Sequence, residues 1–169
     1  MNKAESRIWN LESRTKFLLI TMSIISLAAA CNQTNLPQPK TEPLVYKSGT
    51  VLIGNKTVHV QVADTDVLRT QGLSGRVSLG ANEGMMFRFP APDQYGFWMK
   101  DMQFPLDFIW IRAGVVSQIT PNVPAQPNAA DKDLTMYLPA LPVDSVLEVN
   151  AGWANSSGIK VGDAVVDQF

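Results

Sequence analysis

A chain of 169 residues, 46% hydrophobic and 17% charged, can build one domain with a real core but not two comfortable ones. Its formal net charge of −1 hides an asymmetry: past Cys31 ten Lys and Arg face thirteen Asp and Glu, a net −3. That balance, with no basic run and no Arg–aromatic cluster, argues against nucleic acid as a partner.

The chain opens with Lys3, Arg7, Arg14 and Lys16, then an apolar stretch from Phe17 to Ala30 that ends in three alanines. A basic start, an apolar centre and small residues at the end describe an export signal. The stretch is shorter than the ~20 apolar residues that a membrane-spanning helix needs. Cys31 follows at once and is the only cysteine. It stands where bacterial lipoproteins carry the residue that becomes their lipidated N-terminus, although Ala28 occupies the place three before it, where Leu is usual. The bland reading is ordinary signal cleavage beside an incidental thiol. Lipidation predicts an exported protein anchored to a membrane through Cys31, at the periplasmic or outer envelope surface. It would leave the folded domain without a thiol for a disulfide, a metal or a nucleophile. Residues 32–49 are rich in Asn, Gln, Thr and Pro and read as a semi-rigid tether, leaving 50–169 as one globular domain.

Within that domain, Thr57 to Val62 alternates strictly, with Val58, Val60 and Val62 on one face. This predicts a half-buried strand, joined to Val51–Ile53 by a hairpin at Gly54-Asn55. Asp64 or Thr65 can cap a short helix that Gly72 ends. Met85, Phe87 and Phe89 share one face of the next strand, and Met86 and Arg88 the other. Further strands are expected at Phe97–Lys100, Leu106–Arg112, Val115–Thr120, Val146–Asn150 and Ala164–Asp167, with a tight turn at Gly114. Asn122 to Asp133 is a polar, Pro-containing loop long enough to be a flap. Ala151 to Ser157 predicts a second short helix. Together these predict a mainly β fold, a small antiparallel sandwich or barrel with two short helices.

Several blocks now on the page occur together: Gly72-Leu73, Arg76, Glu83-Gly84-Met85-Met86-Phe87, Phe97-Trp98-Met99-Lys100, Pro105-Leu106-Asp107, Leu147-Glu148, Ala151-Gly152 and Gly162-Asp163. In this order and spacing they resemble the bacterial and archaeal domain-of-unknown-function family 192, from about Val51 to the C-terminus. Asp101-Met102 replaces the Asn-Thr usual in that family after Lys100, and Trp110 its common Phe. The resemblance implies a compact, mostly β fold and frequent export, and it implies no activity.

Function must therefore be read from residues. Asp107 alternates onto a face with Ile109 and Ile111, so it needs a cation or backbone donors; Arg69, Arg76 and Lys100 are the candidate cations. It is either a buried ion pair at the Pro105 corner or a carboxylate in a pocket. Glu83 before Gly84, and Glu148 inside a strand, could join Asp107 in acid–base work on a glycosidic or similar bond, though nothing in the spacing brings them together. His59 stands alone on a polar face, with no second His to complete a zinc site. Met85, Met86, Met99 and Met102 offer soft ligands for Cu(I), but methionine more often fills a core. Trp98, Trp110 and Trp153, with Tyr95 and Phe97, could form an aromatic platform for a small molecule or sugar.

The reading these residues favour is a non-catalytic domain that binds a small ligand or glycan, with no cofactor and no metal. Its site is expected near Trp98, Lys100 and Asp107, with Arg69 or Arg76 as counter-ion, Glu83 nearby and the Asn122–Asp133 loop as rim. The alternatives are an envelope hydrolase using Asp107 with Glu83 or Glu148, and a methionine-based copper binder.

Overall fold

The computed structural model describes residues 43–169; the expected export signal, Cys31 and the expected tether as far as residue 42 lie outside the described residues. Strands β1 (Lys47–Ile53) and β2 (Lys56–Ala63) form the expected hairpin, in register from Lys47↔Val62 to Ile53↔Lys56. Its turn needs a positive φ, and Gly54 supplies one at 56°. Val58, Val60 and Val62 are buried, as their alternation predicts, and His59 faces outward.

Helix α1 (Asp66–Gln71) begins where the side chain of Thr65 accepts the Leu68 N–H, and ends at Gly72 with φ 51°. The chain then returns as β3 (Glu83–Asp93), which runs parallel to β2 from His59↔Glu83 to Ala63↔Phe87. A parallel neighbour cannot be reached by a tight turn, and α1 with its following loop supplies the crossover. This one parallel pair departs from the all-antiparallel expectation.

β4 (Leu106–Arg112) and β5 (Val115–Val123) make a second hairpin across Ala113-Gly114. β6 (Val143–Asn150) lies between β3 and β4, α2 (Trp153–Ser156) follows, and β7 (Val165–Gln168) pairs with β1. The order β5-β4-β6-β3-β2-β1-β7 forms one seven-stranded sheet. Its ends approach each other, for Val115 bridges Ala164 and the Val116 N–H donates to the Asp163 carbonyl at 2.9 Å. The sheet is thus a curled half-barrel with two short helices, mainly β as the sequence predicts, and it is not a sandwich of two sheets.

Alternation puts a core on each face of this sheet. One draws on all seven strands, from Val51 of β1 to Val165 of β7, and is capped by Trp153 of α2. The other holds Met85, Phe87, Phe108, Trp110 and Val146, covered by Leu68 and Leu73 and by Phe97, Met99 and Met102. The strand expected at Phe97–Lys100 is reduced to two single bridges, Phe97↔Tyr137 and Lys100↔Gln126. Its in–out alternation is genuine, with Phe97 and Met99 buried and Trp98 exposed. But the segment packs on the face of the sheet, Phe97 against Phe87, Phe108 and Trp110, so no ladder extends along it.

Candidate functional site

Strand β6 alternates Leu147 and Val149 into one core and Val146 and Glu148 toward the other face. Its register sets Glu148 opposite Met85 of β3 and Phe108 of β4, both fully buried. β3 lies close here, because a Cβ on Gly84 would sit 2.7 Å from the Glu148 carbonyl oxygen. Glu148 is therefore a carboxyl group held between apolar strands, only 5% exposed.

Its side chain reaches a cleft of about 600 Å³ between α1, β3 and the segment from Tyr95 to Met102. Phe87, Phe89, Tyr95, Phe97 and Trp98 give the walls their aromatic character. The polar side chains around it are largely committed to the protein. Arg69 pairs with Asp66 and donates to the Arg88 carbonyl. The hydroxyls of Thr70, Ser74 and Tyr95 donate to the carbonyls of Asp66, Lys100 and Ala91, and the Gln71 amide donates to that of Ser74. Glu148 differs. Among the described residues no donor or cation reaches it, and burial alone pushes its carboxyl up to about 8. At neutral pH it is a neutral acid in an apolar cleft, a state typical of functional carboxyls.

Trp98 stands at the mouth, 43% exposed, with the Lys100 ammonium 5.9 Å from its ring centroid. Lys100 is also hydrogen-bonded to Asp131, which holds its pKa above the ordinary lysine value. Trp98 and Arg69 line this cleft, and Lys100 flanks it.

Asp107 does not. It is fully buried, but among the described residues no Arg or Lys pairs with it. Its Oδ1 accepts the N–H groups of Asn122 (2.8 Å) and Gly152 (3.0 Å), and its Oδ2 that of Ala154 (2.9 Å). It lies opposite Val149, on the face of the sheet away from Glu148. The expected ion pair is corrected to a carboxylate clamped by backbone, tying β4 to β5 and to the start of α2. Arg76 serves neither as counter-ion nor as cleft lining; it donates to Gln61 and lies over the Tyr46 ring. Glu83 accepts the Gly80 N–H at 3.0 Å and closes its own turn. The Asn122–Asp133 loop is no rim: its first two residues end β5, and Met136 lines the cleft in its place.

The hydrolase pair of Asp107 and Glu148 is split across the sheet. Met85 and Met86 point to opposite cores, and Met99 is fully buried, so these sulfurs fill space. No group of three or more His, Cys, Asp or Glu able to hold a metal occurs among the described residues. Sequence reasoning offers Glu148 only as a partner for Asp107. The available signal was an acid on the same alternating face as Val146, within a strand otherwise apolar at its centre.

Residues 49–166 match the model of the DUF192 family, described as an uncharacterized ACR. No curated protein matches. Among solved structures, a candidate transcription regulator from Sinorhizobium meliloti 1021 is 28% identical, with TM-score 0.66, over 75% of this chain and 98% of that one. A protein of unknown function from Novosphingobium aromaticivorans DSM 12444 is 33% identical, with TM-score 0.65, over 74% and 89%.

Proposed function

Since the chain belongs to the DUF192 family, whose description assigns no activity, we propose from its cleft that it is a non-catalytic small-ligand binding domain held at the cell envelope. The observation that carries the reading is Glu148, an unpartnered acid in a cleft walled by aromatic rings. Concave sites of this size, mostly apolar with few free polar groups, are what small molecules occupy. Hydrolysis by carboxylates needs two acids across one substrate with pKa values pushed apart. Among the described residues Glu148 has no such partner, because Asp66, the other acid lining the cleft, is paired with Arg69, Asp107 is spent on three backbone amides and Glu83 on Gly80. The regulator description of the Sinorhizobium relative would call for nucleic acid, and the excess of thirteen acids over ten bases past Cys31 weighs against it here.

The test is a screen of small aromatic and amine compounds, glycans and cell-wall fragments, read by calorimetry and by product analysis. Trp98→Ala removes an exposed aromatic wall and should weaken association by about tenfold or more. Glu83→Gln should leave it unchanged. Steady product release that disappears in Glu148→Gln would replace the binding reading with an enzymatic one.

Envelope attachment rests on the sequence before the domain. The basic start, apolar stretch and Cys31 support an exported, lipid-anchored product, with the Pro-containing segment as spacer. Cys31→Ser should release the protein from the membrane fraction of the cells. Undiminished membrane association in that variant would remove lipidation at Cys31 from the proposal.

A further inference from the structure

Among the described residues the Glu148 carboxyl is the one acidic group lining the cleft without a partner, for Asp66 on α1 is held by Arg69. The strands on either side face it with Met85 and Phe108, which carry no charge. From the loop between β3 and β4, only Tyr95 can titrate among the lining residues, and its hydroxyl is bonded to Ala91. Among the described residues the cation lining the cleft, Arg69 on α1, is itself paired with Asp66, so no unpaired fixed charge balances Glu148.

The walls have a matching character. Aromatic faces are electron-rich and attract cations. Two of these rings already hold one: Arg69 lies 5.2 Å from the centroid of Phe89, and Lys100 lies 5.9 Å from that of Trp98. An anionic ligand would meet rings of the wrong polarity and a carboxyl that could only become a second negative charge. An uncharged ligand would gain one hydrogen bond from the acid and apolar contact from the rings, but no charge attraction from either. A cation gains from both.

We infer, resting on the reading of this cleft as a ligand site, that its ligand is a small organic cation, an amine or quaternary ammonium on an apolar body, with Glu148 as its counter-charge. No covalent step is involved. The neutral acid gives its O–H proton to solvent as the cation enters, and the carboxylate left behind pairs with the ammonium. Below the Glu148 pKa about one proton leaves per ligand bound. Affinity should then rise with pH by up to about tenfold per unit, levelling off above the Glu148 pKa.

The probes are trimethyl(phenyl)ammonium, its uncharged isostere tert-butylbenzene, and benzoate, each titrated calorimetrically at pH 6, 7, 8 and 9. The ammonium has no proton of its own, so any proton released comes from the protein. Two buffers of different ionisation enthalpy count it. The expected result is that the ammonium binds more tightly than either other probe, gains affinity with pH and releases close to one proton at pH 6. Glu148→Gln keeps the shape of the side chain and should lose both the pH dependence and at least tenfold in affinity. Equal binding of tert-butylbenzene, or tighter binding of benzoate, would overturn the cation inference while leaving the cleft a ligand site. An ammonium that binds at pH 6 without proton release in the wild-type protein would also overturn it. If none of the three probes binds at millimolar concentration, this inference and the binding reading beneath it both fall.

Discussion

Replacing Asp107 with Ala should lower the unfolding free energy by about 3–5 kcal/mol, among the largest effects expected of any single substitution in this domain. The cost does not come from a lost ion pair. Asp107 is fully buried, and its two oxygens satisfy the N–H groups of Asn122, Gly152 and Ala154 at 2.8, 3.0 and 2.9 Å. Two of those donors sit on residues with positive φ, Asn122 at 53° and Gly152 at 80°. Removing the carboxylate leaves three backbone donors without an acceptor, one buried at Ala154 and two part-buried at Asn122 and Gly152, and it loosens the two bends that they hold. Asp107→Asn keeps one acceptor oxygen but turns an NH₂ toward at least one N–H, so it should cost about 2 kcal/mol. The urea midpoint, at unchanged m-value, reads both variants. A near-neutral Asp107→Ala would mean that solvent reaches these amides and that the clamp is not what fixes α2 to β4 and β5.

Glu148→Gln should do the opposite at alkaline pH and stabilise the protein. The unfolded chain loses the Glu148 proton near the ordinary value of 4.5, whereas the folded chain keeps it up to about 8. Between those values the native state binds one more proton than the unfolded state, so rising pH costs stability throughout the window. Below 4.5 both states are protonated and the loss is absent; above about 8 both are ionised and the loss is complete and constant. A shift of this size corresponds to about 4–5 kcal/mol over the full window. Glutamine cannot ionise, so the variant should show none of this loss. The check is urea unfolding of both proteins at pH 5 and pH 9: near-equal stability at pH 5 and a clear advantage for Glu148→Gln at pH 9. Parallel profiles would show that the Glu148 carboxyl is solvated or partnered, and the chemical argument for the cleft would go with it.

These two acids show where sequence reading succeeds and where it stops. Alternation in Leu106–Arg112 is enough to bury Asp107 and to require a partner for it. It cannot name that partner, because the donors come from β5 and α2, fifteen to forty-seven residues away in the chain. Charged side chains are visible in a sequence and backbone N–H groups are not, so Arg69, Arg76 and Lys100 are the partners that a sequence displays. Each of these is engaged elsewhere, with Asp66, Gln61 and Asp131. The segment Phe97–Lys100 shows the same limit for a strand. Its period of two reports which side chains are buried, and says nothing of whether a neighbour runs alongside to complete a ladder.

The sequence by itself determined what depends on neighbours along the chain. The β1–β2 hairpin follows from alternating valines around Gly54-Asn55, α1 from Thr65 and Gly72 at its ends, and the mainly β class from short apolar runs between turn residues. Only the tertiary structure decided what depends on residues far apart. It ran β3 parallel to β2, set β6 between β3 and β4, and so placed Asp107 and Glu148 on opposite faces of one sheet. The physical reason is the pleat: successive positions on paired strands point to opposite sides, and a one-residue change of register exchanges every side chain between them. Register is a property of two strands at once, which is why the cleft around Glu148 emerged only when β6 met its neighbours.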